Sequence, residues 1–129
     1  MKILIAALLV LVFSASGYAQ SQSQMNIDAY AGYKKADKQL NTVYQTILQQ
    51  YASNPAFIKN LKVAQRLWVQ LRNADVAAKF PETGTYGSVE PMCRAGYLTT
   101  YTENRTRFLR VWLDGITEGD VCNGSVKMK

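Results

Sequence analysis

The fold predicted for this 129-residue chain is organised around the stretch Leu61–Ala78, which has the sequence LKVAQRLWVQLRNADVAA. Its apolar residues recur three and four positions apart, which places them on one face of an α-helix. Asp75 lies on that face and Arg72 lies beside it, three residues away, so a charged pair can lie along the helix edge. The predicted core positions of this helix are Phe57, Leu61, Ala64, Trp68, Leu71 and Ala78.

Two more helices are predicted, one on each side of this stretch. Apolar and aromatic residues at helical spacing predict the first from Asn26 to Tyr51. Asn54 is a favourable N-cap and Pro55 suits a first helical turn, so the second helix starts there. The third is predicted from Val89 to about Leu113, after a loop rich in proline and glycine.

These elements predict an all-α domain over residues 26–114, followed by an irregular C-terminal tail over residues 115–129. Ser88 is the predicted N-cap of the third helix. The short connection at Asn54 makes the first two helices antiparallel neighbours. The expected architecture is a three-helix antiparallel bundle, up-down-up, or a long hairpin with the third helix laid across it.

The N-terminus has the pattern of an export signal. Lys2 precedes an apolar run from Ile3 to Phe13, and a small-x-small pattern ends at Ala19. The run is about half as long as the ~20 residues that span a bilayer. We therefore predict a signal peptide over residues 1–19, a disordered polar tail over residues 20–25, and a periplasmic or secreted mature chain without a membrane span.

The chain is basic, with a formal net charge of +6 that becomes +5 without Lys2. This charge favours anionic partners in general but is too dispersed to indicate nucleic acid. We interpret the basic side chains of the first two helices as solvated surface, or as a face for an anionic envelope polymer or an acidic protein. They are Lys34, Lys35, Lys38, Lys59, Lys62 and Arg66.

The two cysteines, Cys93 and Cys122, predict a disulfide in an exported protein. A helix from Cys93 to Leu113 rises ~30 Å, and the residues up to Cys122 span about the same distance when extended. The bond closes only if the tail doubles back sharply, for which Asp114-Gly115 is the expected place.

The composition argues against catalysis. The chain has no histidine, which removes the commonest general base and the commonest metal ligand. Its nine acidic residues include no pair placed as catalytic carboxylates on one helical face, and no phosphate-binding glycine loop occurs. Two catalytic carboxylates that are distant in sequence and brought together by the fold remain an open alternative. We expect a protein that is not an enzyme and that needs neither a metal nor another cofactor.

Four short motifs resemble the LprI-type lysozyme-inhibitor family. They are Leu40-Asn41-x-x-Tyr44, Ala64-Gln65-Arg66-x-Trp68-x-x-Leu71-Arg72-Asn73-Ala74, Gly87-Ser88 and Thr102-Glu103-x-Arg105. The resemblance covers about Asp28 to Leu109. It implies a small exported helical protein that inhibits lysozyme. It also implies cysteines where this chain has Val76 and Tyr97, as if an interhelical bridge had been exchanged for an apolar contact.

We expect the motif residues to stabilise the fold rather than to bind a partner. We interpret Trp68 as part of the core because an indole buries a large apolar area. Asn41, Tyr44, Arg72 and Arg105 are interpreted as a polar layer that joins the three helices, rather than as a binding site. Arg72 is expected to donate to Asp75, to Asp37 or to backbone carbonyls of a neighbouring helix.

The loop from Pro81 to Ser88 is the predicted recognition element, because helices hold a polar, glycine-containing segment at both ends. Its candidate contacts are Lys79, Thr83, Thr85, Tyr86 and Ser88. The resemblance implies a lysozyme as the protein partner. The alternatives are a binding or immunity protein directed at another cell-wall hydrolase, a ligand of an anionic envelope component, and a structural envelope protein.

Overall fold

The structure is a computed structural model that describes the backbone of residues 2–129 and the side chains of residues 21–129. It contains three α-helices: α1 (Lys2–Gln50), α2 (Pro55–Lys79) and α3 (Glu90–Asp114). In this part of the chain the only β-type pairing is an isolated bridge between Ile116 and Met128. The all-α prediction is confirmed.

Residues 21–25, expected to be a disordered tail, are helical and continue into the rest of α1. No proline or glycine interrupts this polar segment, and glutamine has a good helix propensity. Side-chain bonds one turn apart support it, since Gln22 donates to Asn26 at 3.0 Å and Gln24 donates to Asp28 at 2.9 Å. The predicted signal peptide lies outside the residues whose side chains are described. Among the residues searched, no helix offers an apolar stretch long enough to cross a bilayer.

The core forms mainly where α1 packs against α3. The buried residues of α1 follow helical spacing, and Ala95, Thr102 and Leu109 of α3 lie seven residues apart, so each set forms one stripe. Leu40, Ile47 and Leu109 are fully buried and stabilise the fold by about 1.5–3 kcal/mol each. Small side chains elsewhere on the stripes let the two helices approach closely. The stripes are Ala36, Leu40, Val43 and Ile47 on α1, and Ala95, Thr102 and Leu109 on α3.

Two contacts, one near each end of α3, give its direction relative to α1. Near the start of α3, the Asn26 amide donates to the Ser88 carbonyl at 3.0 Å. At its other end, the Tyr51 hydroxyl donates to the Trp112 carbonyl at 2.8 Å. The start of α3 thus lies beside the middle of α1 and its end lies beside the end of α1, so α3 runs in the same direction as α1.

The α2 helix runs in the opposite direction to α3. Phe57, in its first turn, stacks on Trp112 with ring centroids 5.8 Å apart. At its other end, the Lys79 ammonium lies 4.3 Å from the Tyr97 ring centroid. The Asn54 side chain accepts from the Phe57 amide at 3.1 Å, which confirms the predicted N-cap. Ser88 makes no such bond, because Val89 occupies the N-cap position of α3.

The apolar stripe predicted for α2 is only partly inside. Leu61 is buried and Trp68 is half-buried, but Leu71 is 54% exposed. Ala64 and Ala78 are also exposed. The face of α2 that contacts the other helices includes polar residues, because side chains of α1 and α3 bond to these residues. These inner polar residues are Gln65, Arg72 and Asp75.

The C-terminal tail folds back at Gly115, whose φ of +74° favours glycine. Added to Gly115, a Cβ would also stand 2.9 Å from the Lys127 carbonyl oxygen. The Lys127 amide donates to the Tyr51 hydroxyl at 3.2 Å, and the Trp112 indole donates to Ser125 at 3.0 Å. These bonds hold the tail against the end of the α1–α3 pair.

The predicted disulfide between Cys93 and Cys122 does not form, because the tail lies too far from Cys93. Cys93 and Cys122 are free and exposed. Cys93 lies in the first turn of α3, whereas the tail turns back beyond the last turn and stays at that end. The rise of α3 between them is ~30 Å, far beyond the ~6 Å between α-carbons that a disulfide allows.

Candidate functional site

The predicted recognition loop, residues 81–88, is ordered by its own hydrogen bonds. The Thr85 hydroxyl donates to the Glu82 carbonyl at 2.7 Å, and the Glu82 amide donates to the Tyr86 hydroxyl at 3.4 Å. Gly84 and Gly87 have φ of +85° and +76°, a region that side chains with a Cβ rarely enter. The loop is therefore a compact turn whose polar groups are partly used within it.

A buried carboxylate fastens this loop to α3. Glu90 accepts from the Gly84 amide at 3.1 Å and from Arg94 Nε at 2.9 Å. Arg94 in turn donates to the Phe80 carbonyl at 3.1 Å, and its guanidinium lies 4.9 Å from the Phe80 ring centroid. The bond from Arg94 is the main reason that the pKa of Glu90 is lowered from its ordinary value. This clamp joins both ends of the loop, and the sequence analysis missed it.

The candidate contact residues of the loop differ in their exposure and in the contacts that their side chains make. Tyr86 is 36% exposed and meets Phe80 edge-on, with ring centroids 5.5 Å apart. Lys79 is exposed but its ammonium lies over the Tyr97 ring. Thr83, Thr85 and Ser88 are exposed at the surface of the turn. The structure thus presents one partly exposed aromatic ring and short polar side chains on a compact turn.

A second group of predicted residues lies between α1 and α2. The Arg72 guanidinium approaches the Asp37 carboxylate at 3.7 Å, which was one of the partners expected for it. It also lies 5.2 Å from the Trp68 ring centroid and 5.9 Å from that of Tyr33. Asn41, one turn along α1, donates to Asp37 at 3.3 Å. Arg72 therefore connects α2 to α1 through one carboxylate and an aromatic ring from each helix.

A third group joins α2 to α3. Arg105 Nε donates to Gln65 Oε1 at 3.0 Å, and the Tyr101 hydroxyl donates to Asp75 at 2.6 Å. Trp68 lies beside Tyr101, with ring centroids 6.0 Å apart. Spacing within α2 suggested Arg72 as a partner of Asp75, but the register between α2 and α3 places Tyr101 there instead.

Tyr44 stands apart from these polar groups. It is half-buried and packs against the core cluster around Leu40 and Ile47. Burial raises its pKa from the ordinary value, and the charge of Arg66 opposes that rise. Of the four residues interpreted as one polar layer, Arg72 and Asn41 meet at Asp37, whereas Arg105 and Tyr44 belong to different contacts.

Comparison with known proteins assigns the family. A family described as "Lysozyme inhibitor LprI" matches residues 14–109. The chain belongs to the LprI family. An uncharacterized protein of Rhizobium meliloti (strain 1021) is 33% identical over 104 residues, which cover 71% of this chain and 73% of that protein. No solved structure matches the chain. The resemblance inferred from the four motifs is confirmed.

In this LprI-family protein, the two positions where the resemblance implies cysteines hold half-buried side chains, Val76 and Tyr97. Tyr97 lies beside Tyr101, with ring centroids 5.9 Å apart, and beneath the ammonium of Lys79. An aromatic and cationic contact therefore holds the end of α2 to the start of α3.

Proposed function

We propose that this LprI-family protein is an exported, non-catalytic inhibitor of lysozyme, acting in the periplasm or after secretion. The observation that carries this proposal is the family match, which spans most of the helical domain. The partner is accordingly a protein, a lysozyme or a related cell-wall hydrolase. Export by a signal peptide that ends near Ala19 is part of the same proposal.

We assign the inhibitory contact to the loop and its neighbour Lys79. The Glu90 clamp and the two positive-φ glycines preorganise the loop, which lowers the entropy lost on binding. Tyr86 offers a partly exposed ring, and tyrosine is common at the energetic centre of protein interfaces. Thr83, Thr85 and Ser88 add hydrogen-bonding groups for the sugar-binding walls of a lysozyme cleft.

The test is the rate at which a c-type lysozyme lyses a bacterial wall suspension as the mature domain is added. We expect dose-dependent inhibition, and a Thr85→Ala, Tyr86→Ala variant that needs at least ~10-fold more protein, as for loss of an interface hot spot. Val121→Ala is the matched control, because Val121 is 94% exposed in the tail at the other end of α3.

Three results separate the parts of this proposal. Inhibition that the loop variant loses and the Val121 control keeps supports both the activity and the loop. Inhibition kept by the loop variant removes the loop as the contact. No inhibition by a protein with a helical circular dichroism spectrum rejects lysozyme as the target.

A second candidate is binding of an anionic envelope polymer. Between α1 and α3 a hollow of ≈ 590 Å³ is lined by Lys35, Lys38 and Arg110, among others. Lys35 and Lys38 bring positive charge to one concave surface beside Arg110, which also pairs with Asp114 at 3.3 Å. Such a surface favours a polyanion, and the binding weakens as salt is added. Co-sedimentation with an anionic wall polymer at low and high salt tests it, with Lys38→Gln expected to weaken binding.

A further inference from the structure

A groove runs between α2 and α3, away from the loop. One part has a volume of ≈ 620 Å³ and reaches from Asn54 to Trp112. A second part, ≈ 240 Å³, lies beside Trp68 and Tyr101. Arg105 and Phe108 line both parts, so the two hollows meet at these side chains.

The walls of the larger hollow are mainly apolar. Phe57, Leu61 and Ala64 line it from α2. Phe108 and Trp112 face them from α3, and Phe108 is 59% exposed although its ring lies only 5.8 Å from that of Trp112. An exposed aromatic beside an apolar hollow gains free energy when a ligand covers it, at about 25 cal/mol per Å² of apolar surface removed from water.

One cation lies in this apolar lining. Arg105 is half-buried, and its guanidinium carbon stands 5.3 Å from the Phe108 ring centroid and 5.8 Å from that of Trp68. Its Nε bonds to the neutral amide of Gln65. Burial lowers the pKa of Arg105 from its ordinary value.

Three other arginines have an acidic partner that Arg105 lacks within residues 21–129. Arg72, Arg94 and Arg110 each pair with a carboxylate, and over residues 21–129 no such ion pair involves Arg105. A guanidinium has five N–H donors in a plane that matches a carboxylate. Within residues 21–129 only the Nε–H of Arg105 is hydrogen-bonded, which leaves the terminal nitrogens for a ligand.

We propose that the groove between α2 and α3 binds a small amphipathic carboxylic acid. Its apolar chain would lie along Phe57, Phe108 and Trp112, and its carboxylate would bind the guanidinium of Arg105. The volume of the larger hollow lies in the range of small-molecule sites, roughly 300–1,000 Å³. This site is separate from the inhibitory loop and does not depend on a lysozyme partner.

The test uses decanoate, and decanol as the uncharged probe of the same chain length, each below its aggregation limit. The protein has two tryptophans, Trp68 and Trp112, and both line the groove, so intrinsic fluorescence reports binding there. We expect a saturable change with decanoate and at least ~10-fold weaker binding of decanol, the loss of one charge-assisted contact.

Variants separate charge recognition from apolar partition. Arg105→Gln should reduce decanoate affinity at least ~10-fold and leave decanol affinity unchanged, because only the carboxylate uses the charge. Arg105→Lys keeps a cation and should keep part of the preference for the acid. Arg110→Gln is the matched control, since Arg110 is exposed on the same helix and pairs with Asp114 at 3.3 Å.

The proposal is overturned by any of three results. These are no saturable binding of decanoate, equal affinities for decanoate and decanol, and undiminished decanoate affinity in an Arg105→Gln variant whose circular dichroism matches the parent. If Arg105→Gln fails to fold, the acid–alcohol comparison on the parent and on Arg105→Lys decides alone.

Discussion

Thr102 is fully buried where α3 packs against α1, and its hydroxyl has no hydrogen-bond partner within the described chain. A buried polar group left unpaired costs about 1–3 kcal/mol, whereas an apolar group of the same shape avoids that cost. We therefore expect Thr102→Val to raise the free energy of unfolding by about 1 kcal/mol. Urea denaturation followed by circular dichroism measures it.

Thr106→Val is the matched control for that change. The Thr106 hydroxyl donates to the Thr102 carbonyl at 3.0 Å, so its removal discards a hydrogen bond. The control should be neutral or less stable than the parent. A Thr102→Val variant that unfolds at lower urea than the parent would show that the hydroxyl has a partner in solution.

The hydroxyl of Tyr101 should make the stability of the folded protein depend on pH in the alkaline range. Its hydrogen bond to Asp75, then burial and the nearby carboxylate charge, raise its pKa from 10.0 to about 12. The folded protein holds this proton more strongly than the unfolded chain. The resulting stability is fully present below pH 10 and is lost as the pH rises through about 12. Asp75→Asn removes the carboxylate and should return the pKa toward its ordinary value.

The phenolate absorbance measures this shift when the titration of a Tyr101→Phe variant is subtracted from that of the parent. The subtraction isolates one hydroxyl among the tyrosines of the chain. Asp28→Asn is the control, because Asp28 is exposed on α1 and bonds to Gln24. Equal midpoints for the parent and for Asp75→Asn would contradict the assigned cause.

At the level of elements, the loop depends on the Glu90 carboxylate. The pKa of Glu90 is lowered from 4.5, chiefly by the bond from Arg94, so the folded state favours the charged form. The stabilising contribution is present above pH 4.5 and is lost as the pH falls through the lower folded value. We expect Glu90→Gln to raise the hydrogen-exchange rate of the Gly84 amide severalfold at neutral pH, measured by NMR.

Glu82→Gln serves as the control for the loop, because Glu82 is exposed and its backbone, not its carboxylate, makes the turn bonds. Its Gly84 amide should exchange as in the parent. An unchanged rate in Glu90→Gln would mean that the turn holds itself without the clamp.

The helices could be predicted from the sequence more reliably than their faces. Asn54-Pro55 marked the start of α2 correctly, because capping and proline geometry are local. The inner stripe of α3 includes Ala95 and Thr102, a small and a polar side chain whose burial a hydrophobic pattern does not predict. The burial of Ala95 and Thr102 depends on close approach of α1, which is a tertiary effect.

The candidate sites show the same limit. The sequence offered the loop as a candidate contact and Arg105 as a structural residue, and it did not predict the Glu90 clamp or the groove, which are made by residues from separate elements. The disulfide prediction failed because pairing of Cys93 depended on where the tail folds.

For the whole molecule, the helices contribute unequally to the core. Most buried residues belong to α1 and α3, whereas Leu61 is the buried residue of α2. Side-chain bonds such as those of Arg72, Gln65 and Asp75 hold α2 at its inner face. An element with little buried surface opens at low free energy. We infer that α2 can open while the α1–α3 pair stays folded.

Hydrogen exchange with Arg72→Ala tests this unequal stability. In the parent, amides within Pro55–Lys79 should exchange at a lower opening free energy than the central amides of α3. Arg72→Ala removes a partly buried ion pair and two ring contacts, together about 1 kcal/mol. It should therefore speed α2 exchange ~5-fold and leave α3 unchanged. Arg66→Ala, an exposed change on the same helix, should alter neither. Equal acceleration in α2 and α3 would instead show that the three helices open as one cooperative unit.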